Sequence, residues 1–145
     1  MADQTAGASS RWVVFTCDGR HFALPLGRVR AILHSRPLTR IPGCGPTVCG
    51  LLGLRGRVVT VLDFGAALGL RPSATILDHR LLLVEAGERT VAGAVEVVAA
   101  VTRVDGGDGW RIITGAEPAS GEVHGEGERV AIAVDPDELL GGLLA

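Results

Sequence analysis

Four histidines, three cysteines and two aspartates that each end an apolar run are the residues of this chain whose chemistry could build a site. An enzyme needs a nucleophile, a base within hydrogen-bond reach and a group that orients the base. His21, His34, His79 and His124 stand in turn-like or polar stretches with no partnering motif, the setting of solvated surface histidines. No serine is framed by a nucleophile elbow, and tyrosine is absent. Cys17, Cys44 and Cys49 are odd in number, and the four residues between Cys44 and Cys49 fit no common zinc knuckle. They read as reduced thiols, with no disulfide framework, no metal and no cofactor expected. Gly50 to Gly56 lacks the Lys-Ser/Thr ending of a phosphate loop, and Gly106-Gly107 opens no helix with phosphate-binding spacing. These glycines serve tight turns. With chemistry excluded on these grounds, binding other proteins is the function that remains.

The bulk composition narrows the partners. Charged residues make up 21% of the 145 residues and the formal net charge is -2, so no basic field collects nucleic acid. The apolar fraction is 47%, yet every apolar stretch is broken within a few residues, as Glu96 breaks Val91 to Val101, and none could insert into a bilayer. Met1 to Ser10 has no basic segment followed by an apolar core, so it reads as a flexible tail rather than a secretion signal, and a cytoplasmic protein is expected.

The elements that position these residues come in two copies. Trp12 to Cys17 is a β-branched and aromatic run, Asp18-Gly19 a hairpin signal, and Phe22-Ala23-Leu24 the return strand, before Leu26 to Leu33 reads as helical. Downstream, Leu81 to Glu85, the turn Ala86-Gly87 and Thr90 to Val95 repeat the plan, and Val97 and Val101 stand where Val29 and Leu33 stood. A second echo pairs Arg57–Asp63 with Arg129–Asp135, each an apolar strand ending in an aspartate that can cap a short helix. Those helices are Phe64 to Leu68, closed by Gly69, and Pro136 to Leu140, closed by Gly141. Echoes in the same chain order mark a duplicated architecture. Short strands between glycine-rich turns predict an all-β fold, mainly β with stubs of helix, of two small five-stranded barrels packed side by side. Residues 11–145 form one domain of two halves, about 11–71 and 79–145, between which strands can exchange. Pro72 to Asp78 is the crossing, and Asp105 to Gly127 reads as a loop or a poorly formed strand.

The central segment Val48 to Asp63 sets an Arg55-Gly56-Arg57 turn between two nearly all-apolar strands. It resembles the CheW domain, whose signature is a Gly, two or three apolar residues, Asn-Leu-Arg-Gly, and an apolar strand with Pro-Val and Asp-Leu. Leu54-Arg55-Gly56 is the core of the match. The likeness continues through Val29-Arg30-Ala31-Ile32, Thr39-Arg40-Ile41-Pro42 and the second-half strands to Leu140, nearly the whole chain from Arg11.

The resemblance implies two SH3-like barrels and a non-enzymatic scaffold that couples the cytoplasmic hairpin tip of a chemoreceptor (a methyl-accepting chemotaxis protein) to a CheA-type histidine kinase. By position, the family's receptor groove maps to Leu26, Val29, Ile32, Val91 and Val98, with Leu54 and Arg55 near its rim. An amphipathic hairpin would lay its apolar stripe in such a groove while an arginine fixes register. Each residue also has a plainer use: Val29 and Ile32, three apart on a helix, suit packing on the sheet, and Arg55 suits an ordinary turn.

The chain departs from the family pattern at three places. Gly53 replaces the Asn before Leu-Arg-Gly, Thr60 replaces the strand Pro, and Ala31 replaces an acidic residue that would pair with Arg55. The connection from Arg111 to Gly127 is also short, with Glu122-Val123-His124-Gly125 in place of an aromatic-Ile-Gly strand. A divergent member with weakened kinase binding is expected. The other reading is a small-molecule-binding sensor barrel, which requires an apolar cavity.

Overall fold

The structure is a computed structural model that describes residues 11–43, 45, 47–70, 79–103, 109–114 and 129–144. The flexible tail expected at 1–10, the crossing at 72–78 and His124 lie outside the described residues. In chain order the elements are β1 (Arg11–Cys17), β2 (Arg20–Pro25), a 3-10 turn (Leu26–Arg28), β3 (Val29–His34), β4 (Val48–Leu54) and β5 (Arg57–Asp63). There follow α1 (Phe64–Ala67), β6 (Arg80–Ala86), β7 (Arg89–Val95), β8 (Val97–Arg103), β9 (Trp110–Ile113), β10 (Arg129–Ala133) and α2 (Pro136–Leu144). The fold is mainly β, as expected. No helix among the described residues is long and apolar enough to cross a membrane.

Tight turns set three hairpins. Asp18 (φ 53°) and Gly19 (φ 73°) both take the left-handed conformation that matches strand twist in a two-residue loop, as do Arg55 (φ 52°) and Gly56 (φ 79°). Between β6 and β7 the loop is Gly87-Glu88, one residue later than the sequence suggests, with Gly87 at φ 61°.

Two five-stranded sheets result, ordered β8-β1-β2-β10-β9 (sheet A) and β3-β6-β7-β5-β4 (sheet B). Sheet A joins strands from the two ends of the chain, whereas sheet B is built from the central strands β3 to β7, so each sheet draws on both halves. The pairings are equivalent: β1 joins β2 and β8 as β6 joins β7 and β3, and β10 runs parallel to β2 as β5 runs parallel to β7. In this correspondence Phe15 matches Val84, Phe22 matches Val91, Val29 matches Val98, Ile32 matches Val101 and Val61 matches Ala133. The fifth strands break the plan, because β4 is antiparallel to β5 whereas β9 is parallel to β10.

The helical reading of Leu26 to Leu33 is corrected: beyond one 3-10 turn this segment is the edge strand β3. A register shift between Val29 and Ala31 leaves Arg30 bulged out. A bulge inserts one residue, so Val29 and Ile32, three apart, can share a face in a strand. Helix-like spacing is thereby produced in extended chain, and β8 repeats it around Ala99 with Val98 and Val101. Another correction concerns α2, which runs through Gly141 to Leu144 rather than closing there. Leu140 is anchored in the core, and a glycine costs a helix only about 1 kcal/mol. In α1, as expected, the Ala66 N–H donates to Asp63 Oδ1 at 3.2 Å, and Leu68-Gly69 turns the chain away.

The largest core lies between the sheets. Val13, Phe15, Phe22 and Leu24 from sheet A meet Leu62, Leu82, Val84, Val91 and Val95 from sheet B, with Phe64 of α1 and Leu140 of α2 closing it. Phe64 enters because Gly93 lies beneath it, where the equivalent position of sheet A carries Leu24. Phe15 stacks on both Phe22 and Phe64 at centroid distances of 6.0 Å. The other faces hold smaller cores, one of Trp12, Val14, Ala23, Trp110 and Ala131, the other of Leu52, Val59, Val61, Leu81, Ala92 and Ala94.

Candidate partner-binding site

Of the residues mapped to a partner groove, Leu26, Val29, Val91 and Val98 come together on the core between the sheets. Val91 is buried within it and the other three are half-buried against it. The seam they share is therefore filled by the chain's own side chains over its described part. Ile32, on the same strand as Val29, is 44% exposed, and its counterpart Val101 on β8 is 46% exposed. Both face the seam side of their sheets, across from Leu82 and Val13, but at edges that the opposing sheet does not cover. Val97, 54% exposed, pairs with Thr16 and so lies on the other face of β8.

Leu54 and Arg55 sit elsewhere. β4 and β3 are opposite edges of sheet B with three strands between them, so Leu54, half-buried, and Arg55, exposed, are not gathered beside Ile32 by that sheet. Arg55 makes no hydrogen bond or ion pair among the described residues. An arginine in the left-handed region is strained relative to the Asn, Asp or Gly usual in such turns.

Polar contacts tie the margins to the rest of the fold. Arg28 reaches from the 3-10 turn to Asp137 at the start of α2 and also donates to the Glu85 carbonyl at 3.1 Å. Asp137 accepts in addition from the Gly87 N–H at 2.8 Å. The hydrogen bond from Arg28, then that from Gly87, hold the Asp137 carboxyl below the usual carboxylate range. Arg30, the bulged residue, pairs with Glu85. At the other hairpin, Glu96 Oε1 accepts from the Gly19 N–H at 3.3 Å. Each of these hairpin turns is thus held by a carboxylate that lies far from it in sequence.

The titratable residues set aside on sequence grounds are mostly structural. His79 is buried rather than solvated, and His21 is half-buried with its ring edge-on to Trp110 at 5.0 Å. Burial lowers the His21 pKa. Cys17 is buried and its thiol is pushed far up, chiefly by burial; Cys49 is pushed up to about 11 by burial and then by Asp63. Cys17, Asp18, Asp63, His79 and Glu96 line a recess of about 10 Å³ together with Gly65 and Ala94, room for about one water. Among the described residues no group of three His, Cys, Asp or Glu could hold a metal ion.

Sequence reasoning missed Val101, Val97 and Val58, the last 71% exposed on β5. The repeat carried a signal for Val101: aligned in the register that the bulges impose, it falls on Ile32 rather than on Leu33.

Comparison with known proteins agrees with this architecture. The sequence model of the CheW-like domain matches residues 11–143. Protein PilI of Pseudomonas aeruginosa is 34% identical over 58% of this chain and 47% of its own length. The chemotaxis protein CheW of Bacillus subtilis is 33% identical over 51% of this chain and 47% of its own length. The chain thus spans about half the length of these curated relatives. The crystal structure of the scaffolding protein TtCheW from Thermoanaerobacter tengcongensis superposes with a TM-score of 0.65 at 21% identity, covering 85% of this chain and 82% of that one.

Proposed function

Since the chain belongs to the CheW-like domain family, we propose that it is a non-enzymatic scaffold of chemosensory signalling that attaches a chemoreceptor signalling tip to a CheA-type histidine kinase in the cytoplasm. The family match over 11–143 supports this reading, and the exposed aliphatic side chains at equivalent seam margins support attachment there. In this reading Ile32 and Val101 make the first contact with an amphipathic receptor helix. Leu26, Val29 and Val98 form the half-buried floor beside them, and Val91 supports that floor from within the core. The filled seam makes this a shallow surface rather than a deep groove. Leu54 and Arg55 stand at the far edge of sheet B and serve a separate contact.

The departures at Gly53, Thr60 and Ala31 support weakened kinase binding as the finer part of this reading. A small-molecule barrel is not favoured: the described interiors are filled by side chains such as Trp12, Trp110, Leu52 and Leu81.

Calorimetry with a receptor signalling-tip fragment tests attachment. Ile32→Glu should weaken it about tenfold, because a carboxylate replaces an apolar contact at the centre of the surface. Absence of heat with the wild type, or unchanged affinity in the variant, would count against the reading. Size-exclusion chromatography with the regulatory domain of a CheA-type kinase then reports whether both partners join one complex.

A further inference from the structure

The β4–β5 hairpin has no counterpart in the other half, since β9 runs parallel to β10 instead of turning back on it. Its seam-facing side emerges from the core in three steps. Leu62 is buried, the next pair Thr60 and Leu51 is half-buried, and the outermost pair is Val58 with Gly53. Val58 is 71% exposed, the most exposed large apolar side chain among the described residues. Gly53 presents no side chain opposite it, and a β-carbon built there meets nothing within 4 Å. Val58 therefore borders an open slot.

Two arginines stand beside that slot: Arg55 sits in the turn, and Arg89 opens the neighbouring parallel strand β7 at the same end, on the face that carries Val91, while Arg57 lies on the opposite face of β5. All three are exposed, and none of their side chains makes an ion pair or hydrogen bond among the described residues. Every one of the chain's 14 basic residues is arginine, the side chain whose planar fork suits carboxylates best. An aliphatic anchor with an unpaired guanidinium group on either side is complementary to an apolar side chain set between carboxylates.

We propose that this face is a second docking surface, for an acidic amphipathic protein helix whose apolar side chain enters the slot beside Val58 while flanking carboxylates pair with Arg55 and Arg89. The helix lies across the edge of sheet B opposite Ile32, so both surfaces can be occupied together. This deepens the coupling reading, which needs two partners held at once, and depends on it for that role only.

The probe is a fluorescently labelled helical peptide with a leucine stripe flanked by glutamates, against a counterpart flanked by lysines. Anisotropy should show the acidic peptide binding the wild type, more weakly at high salt, and the basic one not binding. Val58→Asp and Gly53→Glu should each weaken binding about tenfold or more while Ile32→Glu does not. Gly53 has open space and ordinary backbone geometry, so its variant keeps the fold even if Val58→Asp does not. Equal affinity in Gly53→Glu, preference for the basic peptide, or tighter binding of anionic phospholipid vesicles or of RNA overturns the proposal. A receptor-tip fragment that fails to bind the wild type sinks the coupling reading while the peptide result decides this one separately.

Discussion

Gly93 lies on the seam side of β7 beneath the Phe64 ring, and a β-carbon built on it would fall far inside contact distance of three ring atoms. The ring cannot swing clear, because Phe64 is fully buried and Phe15 stands 6.0 Å from it on the core side. Inserting one methyl into a packed core costs roughly 1–3 kcal/mol, and an overlap with a ring that has no free direction belongs at the upper end, about 3 kcal/mol. With a urea m-value of about 2 kcal/mol/M, Gly93→Ala should lower the unfolding midpoint by about 1.5 M. Phe64→Leu relieves the same overlap, so the double variant should be more stable than the sum of the single changes by about 1–2 kcal/mol. Urea titrations of the four proteins, followed by tryptophan fluorescence from Trp12 and Trp110, measure that coupling. Wild-type stability in Gly93→Ala, or strictly additive losses, would refute the account of how α1 closes the seam.

Asp137, held down by Arg28 and the Gly87 N–H, should stabilise the fold above its unfolded pKa of about 3.9 and lose that contribution as pH falls through its lower folded value. Because its side chain is more than half exposed, Asp137→Asn should cost under about 1 kcal/mol at pH 7 and progressively less as pH falls below the unfolded value, as read from urea midpoints across that range. Cys49, with its pKa near 11, should react with iodoacetamide at pH 8 about two hundredfold more slowly than a free thiol, a difference peptide mass spectrometry resolves.

Hairpins and caps were legible in the sequence because their physics is local. Asp18-Gly19 specifies a two-residue turn through the φ values it allows, Gly56 marks the turn between β4 and β5, and Asp63 caps the residues directly after it. Segment 26–33 misled because a bulge at Arg30 gave an extended strand the three-residue spacing of a helix, and a bulge is a property of strand pairing. His79 was misjudged in a related way: its burial comes from the recess it shares with Cys17, Asp63 and Glu96, which lie on other elements.

The sequence by itself determined that the chain is two copies of one strand plan with a CheW-like signature at their centre, since repeats and turn chemistry are written in neighbouring residues. Only the tertiary structure decided which apolar residues remain outside. Whether Ile32, Val101 and Val58 are core or contact surface depends on how far the opposing sheet reaches over each edge. That reach is set by long-range packing such as Phe64 over Gly93, whose partners lie far apart in the chain.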